Sequence, residues 1–130
     1  MITFGTLIIS FFSTYLANQK GHSPETIASY SDCIRLLINY SCKHLDLTID
    51  KLAIDMISEA IILDCLDYLE QERNNTPQTR NQRLAAIKTF FRFAASQVPT
   101  LIAVCERICN ISKKKRLTRS SNLLKTTRSN

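Results

Sequence analysis

The residues best suited to recognition chemistry lie in one stretch, residues 76–94, with the sequence TPQTRNQRLAAIKTFFRFA. This stretch contains three arginines, two glutamines, one lysine and no acidic residue. A guanidinium group presents five N–H donors in a planar fork, and a glutamine amide combines donors with an acceptor. Such groups suit non-covalent binding of phosphates and other anions. The stretch therefore indicates a partner that is a polyanion.

The same stretch is predicted to be a helix that begins at its first residues. Thr76 is typical of an N-cap, and Pro77 suits the first helical position. At 100° per residue, Leu84, Ile87 and Phe91 fall on one inward face. The first turns place polar side chains beside free backbone N–H groups and the positive end of the helix dipole. These side chains belong to Gln78, Thr79, Gln82 and Arg83.

Two arginines of this helix have more than one interpretation. Arg80 and Arg83 can contact a phosphate, remain solvated, or pair with acids of the preceding helix. The angular position of Arg80 leans toward the interior, whereas that of Arg83 does not. We therefore expect Arg83 to be the better candidate for contact with the polyanion.

Apolar spacing elsewhere predicts four further helices and an all-α fold. They are expected at residues 4–19, from Pro24 after an N-cap at Ser23, at 58–73 and at 99–109. Residues 46–58 are expected to form a connector with one short helical turn. Only two glycines and three prolines occur in 130 residues, which disfavours a β-sandwich or barrel. The predicted fold is an all-α, four- to five-helix orthogonal bundle covering residues 4–111, followed by a basic linker or disordered tail at 112–130.

The charge of +6 is unevenly distributed along the chain. Residues 113–130 hold seven Lys/Arg and no acid, while residues 1–112 hold ten Lys/Arg and all eleven acids. Within the body, residues 46–72 carry eight acids against Lys51, and residues 73–92 carry five unopposed cations. The pattern predicts an acidic side and a basic side, of which the basic side attracts polyanions.

The cysteines and the apolar N-terminal run do not indicate a metal centre or a membrane anchor. Five cysteines, an odd number, favour reduced thiols in a cytoplasmic protein. Cys105 and Cys109 are one helical turn apart, but no CxxC pattern accompanies them, so neither a metal nor another cofactor is expected. The run LIISFFSTYL is too short to span a bilayer, so no membrane partner is expected.

Two longer motifs resemble a known family. The stretches FFSTYLANQKGHSPETIASYSDCIRLLINY and LDYLEQERNNTPQTRNQRLAAIKTFFRFA are similar to the N-terminal core-binding, SAM-like domain of tyrosine recombinases, the phage integrases and Xer-like enzymes. The resemblance covers roughly residues 4–116. It implies a helical domain that covers one face of double-stranded DNA, with the second and fourth helices near the major groove.

The resemblance also implies which residues contact DNA. The groove-facing positions match Thr26, Ser29, Gln78, Thr79, Gln82 and Arg83. Phosphate contacts are expected from Lys20, Lys88, Arg92, Lys113, Lys114, Lys115 and Arg116. In this arrangement phosphate contacts set the register on DNA, and glutamine and arginine side chains read base edges.

No catalytic role follows from the resemblance. The family's catalytic domain supplies a tyrosine nucleophile and two arginines, and no residue of this sequence is matched to them. We therefore expect a DNA-binding module of a recombinase and not an enzyme. The alternative is a remnant helical domain that binds or modulates a full-length recombinase, with self-association or a recombinase catalytic domain as further partners.

Overall fold

Five helices form the part of the chain that the structure, a computed structural model, describes: residues 3–18, 23–74 and 76–113. The helices are α1 (Phe4–Ser10), α2 (Pro24–Leu45), α3 (Glu59–Arg73), α4 (Pro77–Gln97) and α5 (Ile102–Cys109). Short 3-10 turns occupy Ile49–Lys51, Ile54–Met56 and Pro99–Leu101. All regular elements within these ranges are helical, which confirms the all-α prediction.

The predicted helix starts are confirmed by their capping contacts. The Ser23 side chain accepts a hydrogen bond from the Thr26 backbone N–H at 3.1 Å, and Thr76 accepts from the Thr79 N–H at 3.2 Å. Ser58 caps α3 in the same way at 3.3 Å. Each cap satisfies one of the N–H groups that a helix start leaves unpaired. The caps therefore fix where α2, α3 and α4 begin.

The first helix departs from the regular spacing that the sequence predicts for it. After Ser10 the backbone continues as a π-helix, Phe11–Leu16, and the Ser13 hydroxyl donates to the Ile9 carbonyl at 2.7 Å. The irregular stretch begins at Phe11, which is fully buried. The Phe11 ring lies 5.2 Å from that of Phe90, edge to face, and 5.5 Å from that of Phe93. Aromatic packing against α4 thus accompanies the change in helix type.

Two connections also differ from the sequence-based prediction. The segment between α2 and α3 forms two 3-10 turns where one helical turn was expected. Leu52, Ile54 and Ile57 are buried along this segment, so it contributes to the core as well as linking helices. The predicted fifth helix is divided, because Pro99–Leu101 forms a 3-10 turn before α5 begins at Ile102.

The core contains the inward face that the sequence predicts for α4. Leu84, Ile87 and Phe91 are each 1 to 2% exposed, and the neighbouring Phe90 and Phe93 are buried with them. Residues of every helix join the same cluster. None of the helices in the described ranges is long and apolar enough to cross a lipid bilayer.

Substitution of Phe91 by alanine tests the core assignment. Because the ring is buried, Phe91→Ala should lower the free energy of unfolding by about 3 to 5 kcal/mol. Ile9→Ala is the control, since Ile9 is 68% exposed and its loss should change stability by less than about 0.5 kcal/mol. Urea denaturation followed by circular dichroism measures both. Equal, small effects would contradict the assignment.

Candidate nucleic-acid interface

The first turns of α2 and α4 border a single cavity of about 460 Å³. We call it the α2–α4 groove. From α2 it is lined by Glu25, Thr26, Ser29, Tyr30, Asp32 and Cys33, and from α4 by Thr79, Gln82, Arg83, Ala85 and Ala86. The structure thus brings together five residues that the resemblance assigns to the DNA contact: Thr26, Ser29, Thr79, Gln82 and Arg83.

The two walls of the groove begin with matched sequences. Helix α2 starts with Ser-Pro-Glu-Thr and α4 with Thr-Pro-Gln-Thr. In each, the cap hydroxyl also lies within hydrogen-bond distance of the threonine hydroxyl, at 3.1 Å for Ser23–Thr26 and 3.3 Å for Thr76–Thr79. The caps therefore hold both threonines in place at the edge of the groove.

Helical spacing explains how each wall continues inward. Positions three, four and seven residues apart lie on one side of a helix. On α2 this spacing joins Thr26, Ser29 and Cys33, and on α4 it joins Thr79, Gln82 and Ala86. The innermost side chains, Cys33 and Ala86, are less polar than those nearer the helix starts. The groove is thus polar at the helix starts and closed where Cys33 and Ala86 are buried.

The inner end of the groove is closed by a contact between α2 and α4. The Cys33 thiol donates to the Arg83 backbone carbonyl, with 3.5 Å between sulfur and oxygen. Burial raises the pKa of Cys33 to about 12, although the positive charge of Arg83 opposes the shift. The thiol is therefore neutral near pH 7 and keeps its proton for this contact.

The groove carries less positive charge than the sequence of α4 suggests. Its charged side chains are Glu25, Asp32 and Arg83. Asp32 is engaged, since one oxygen lies 2.5 Å from the Arg35 guanidinium and the other 4.0 Å from that of Arg73. Neither Glu25 nor Asp32 was predicted from the sequence to lie at the site. Their spacing from Thr26 and Ser29 on α2 was the signal that could have located them.

Arg80 lies outside the groove and joins α4 to α3. Its guanidinium is 2.5 Å from a carboxylate oxygen of Asp67 and 3.2 Å from one of Glu70. The Arg80 side chain is 12% exposed and that of Glu70 is 16% exposed. Of the interpretations open to Arg80, the structure therefore supports pairing with acids of the preceding helix. The pairing fixes the first turns of α4, which carry Thr79, Gln82 and Arg83.

The remaining predicted contacts do not line the groove. Gln78 is exposed at the start of α4. Lys88 donates to the Ile111 carbonyl at 2.5 Å, which ties α4 to the segment after α5. Arg92 is exposed and acts electrostatically on Cys105 of α5, while Lys113 is exposed at the end of the described residues. Lys20, Lys114, Lys115 and Arg116 lie outside the described residues.

The two free cysteines of α5, Cys105 and Cys109, are in contact through their thiols. The sulfur atoms of Cys105 and Cys109 are 3.8 Å apart. Burial, followed by the neighbouring Cys109 thiol, raises the pKa of Cys105. Among residues 3–18, 23–74 and 76–113, no three His, Cys, Asp or Glu side chains come together as a set that could hold a metal ion.

The fold and the groove together define an all-helical domain with a candidate recognition surface. The family described as "Phage integrase, N-terminal SAM-like domain" matches residues 9–98. The chain belongs to this family.

Two relatives come from Sinorhizobium fredii (strain NBRC 101917 / NGR234). The chain is 38% identical over 109 residues to "Putative integrase/recombinase y4rD" and 37% identical over 109 residues to "Putative integrase/recombinase y4rC". These matches cover 84% of this chain, but only 39% and 33% of the two relatives. The chain thus corresponds to between a third and two fifths of their length. No solved structure matches it.

Removal of the Arg80 guanidinium tests its role in holding α4. Arg80→Ala should destabilise the domain by about 1 to 3 kcal/mol, because it removes charged hydrogen bonds and leaves the mostly buried Glu70 without this partner. Arg35→Ala removes an arginine that is 64% exposed and should cost less than about 1 kcal/mol. Thermal unfolding compares the two. A cost for Arg80→Ala no greater than for Arg35→Ala would argue against the pairing.

The buried thiols predict a loss of stability in alkali. The ordinary thiol pKa is 9.0, and burial raises the pKa of Cys33 to about 12 and that of Cys65 to about 11. A raised pKa in the folded state means that stability is fully present below pH 9 and is lost as the pH rises through the folded values. Urea midpoints between pH 7 and 11 should therefore fall above pH 9. The fall should be shallower in a Cys33→Ala/Cys65→Ala variant, and an identical fall would contradict this cause.

Proposed function

We propose that this domain binds double-stranded DNA as the core-binding domain of a tyrosine recombinase, with the α2–α4 groove facing the DNA major groove. The observation that carries the proposal is the convergence on one groove of Thr26, Ser29, Thr79, Gln82 and Arg83. Membership in the integrase family and relatives named as integrases or recombinases support it. DNA integration and recombination are therefore the processes in which it acts.

The dimensions of the groove walls suit this role. An α-helix with its side chains is about 10–12 Å across, and the major groove of DNA is about 12 Å wide. The N-terminal turns of α2 and α4 carry hydroxyl, amide and guanidinium groups. A glutamine can pair with adenine and an arginine with guanine at the base edges. Gln82 and Arg83 are thus the base-reading residues of the proposal.

In this proposal, the phosphates are bound by cationic side chains that lie outside the groove. The groove itself contains Arg83 against two carboxylates, so it offers little net attraction to a polyanion. Arg92 and Lys113 are exposed, whereas Lys88 is half-buried and donates to the Ile111 carbonyl. Lys20, Lys114, Lys115 and Arg116 add to this set from the sequence. The proposal therefore separates phosphate contacts, which position the domain, from base contacts in the groove.

The role is one of binding, without a catalytic residue from this chain. The catalytic chemistry that the resemblance assigns to a tyrosine and two arginines is not matched by the groove, whose one tyrosine is Tyr30. The Tyr30 ring stacks on that of the buried Phe11 at 6.4 Å. We assign Tyr30 to packing, and we assign strand cleavage to a recombinase catalytic domain.

A salt series of electrophoretic mobility shifts tests the proposal with two variants. Arg92→Ala removes a phosphate contact, so the log–log slope of affinity against salt should become shallower by about 0.9. Gln82→Ala removes a base contact and should weaken preferred sites while leaving that slope unchanged. Both side chains are exposed, so neither change should unfold the domain.

Lys51→Ala is the matched control, because Lys51 is an exposed cation on the acidic connector between α2 and α3. Its loss should leave DNA affinity within twofold of the original chain. No binding to any duplex at low salt would overturn the proposal in favour of a protein-interaction domain. Binding that depends on Lys51 but not on Arg92 or Gln82 would show that the wrong face has been chosen.

A further inference from the structure

We infer that Glu25 determines base preference in the α2–α4 groove, by accepting a hydrogen bond from the exocyclic amine of a cytosine or adenine. The inference rests on the proposed function and names a specificity residue within the proposed DNA contact. It is carried by the position of Glu25, by the charges around it and by a comparison of the two helix starts.

The position of Glu25 places it among the residues proposed to meet DNA. It lies in the first turn of α2, is exposed and lines the groove. Thr26 is the next residue, and Ser29 lies four residues on, one helical turn away. Thr79 and Gln82 line the facing wall. A duplex whose major groove faces this surface therefore meets the Glu25 carboxylate together with the hydroxyl and amide groups.

The two carboxylates of the groove differ in their partners. Asp32 has the Arg35 guanidinium at 2.5 Å and that of Arg73 at 4.0 Å, so two cations lie beside it. In the described ranges, no cation lies within ion-pair distance of Glu25, and no side chain donates to it. Of the two carboxylates, Glu25 is thus the one without a cation beside it in the described ranges, and it can accept a hydrogen bond from a ligand.

Stabilisation of helix α2 does not by itself explain why residue 25 is a glutamate. A carboxylate in the first turn interacts favourably with the helix dipole, worth about 0.3 to 1 kcal/mol. Helix α4 begins with the same pattern, but its equivalent residue is Gln78, and α4 still forms with the same cap. Gln78 does not line the groove, whereas Glu25 does. The acidic residue is therefore found at the helix start where this position lines the groove, and the uncharged glutamine is found where it does not.

The chemistry of DNA limits what such a carboxylate can contact. An ionised carboxylate only accepts hydrogen bonds, and it repels phosphate oxygens. In the major groove, the donors are the N4 amine of cytosine and the N6 amine of adenine. Glu25 should therefore lower the affinity for most duplexes. A duplex that presents a base amine at the right position should bind more tightly than the others, because the amine donates to the carboxylate.

Glu25→Gln tests the inference with the full 130-residue chain. Selection from randomised duplexes first identifies a preferred site, and affinities for that site and for an unrelated duplex are then measured at one salt concentration. The substitution removes the charge, so affinity for the unrelated duplex should rise. A selected cytosine should give way to adenine, which pairs with glutamine, and a selected adenine should be preferred more strongly, in each case by about five- to a hundredfold.

Two variants make the result specific to Glu25. Glu59→Gln removes an exposed carboxylate from the first turn of α3, outside the groove, and should leave base preference unchanged. Glu25→Asp keeps the charge but shortens the side chain, so it should lose preference without a gain in general affinity. Circular dichroism confirms that each variant is folded.

The outcomes separate this inference from the proposed function. If Glu25→Gln tightens binding to every duplex equally and base preference is unchanged, Glu25 acts only through its charge and the inference is overturned while DNA binding stands. If the original chain binds no duplex at low salt, both fall. If Glu59→Gln changes preference as strongly as Glu25→Gln, the effect is not local to the groove and the inference is again overturned.

Discussion

The close approach of α2 and α4 is the constraint on which the rest of the structure depends. Two helix starts can border one groove only if the helices meet behind it, and they meet where small side chains, Cys33 and Ala86, are buried. The neutral Cys33 thiol donates to the Arg83 carbonyl at that point. A larger residue at either position would separate the helices and widen the groove, because packed interiors tolerate added volume poorly. The polar residues at the helix starts are thus positioned by apolar contacts further along the same helices.

Contacts on the other sides of α4 maintain this arrangement. Arg80 joins its first turns to α3, the Phe11 ring packs against Phe90 and Phe93, and Lys88 binds the carbonyl of Ile111. Basic residues that look alike in the sequence of α4 therefore serve different purposes. Arg80 and Lys88 have structural partners, whereas Arg92 remains exposed toward solvent. Charge counted along a sequence does not distinguish a cation that holds the fold from one that is free to meet a ligand.

The sequence was sufficient to predict most of the helices, because their signals are local. Thr76 with Pro77 and Ser23 with Pro24 marked the helix starts, and Leu84, Ile87 and Phe91 marked the buried face. The π-helix after Ser10 and the two turns between α2 and α3 were not predicted, since both depend on packing between distant segments.

The same distinction applies to the groove. The family resemblance selected Thr26 and Ser29, and the polar first turns of α4 selected Thr79, Gln82 and Arg83. Helical spacing on α2 places Glu25 and Asp32 near Thr26 and Ser29, but which residues of α2 border α4 depends on how the two helices cross. The pairing of Asp32 with Arg73 likewise joins residues of different helices. Local patterns therefore identified the candidates, and the three-dimensional arrangement supplied the charge balance that determines how they can act.

The surface between the starts of α2 and α4 is the surface that we propose meets DNA. Backbone amide shifts of the ¹⁵N-labelled chain, recorded as a short duplex is added, test it most directly. We expect the largest changes at Thr26, Ser29, Thr79, Gln82 and Arg83, with little change at Tyr68, which is exposed on α3. Changes concentrated around Tyr68, with the amides of the groove unmoved, would contradict it.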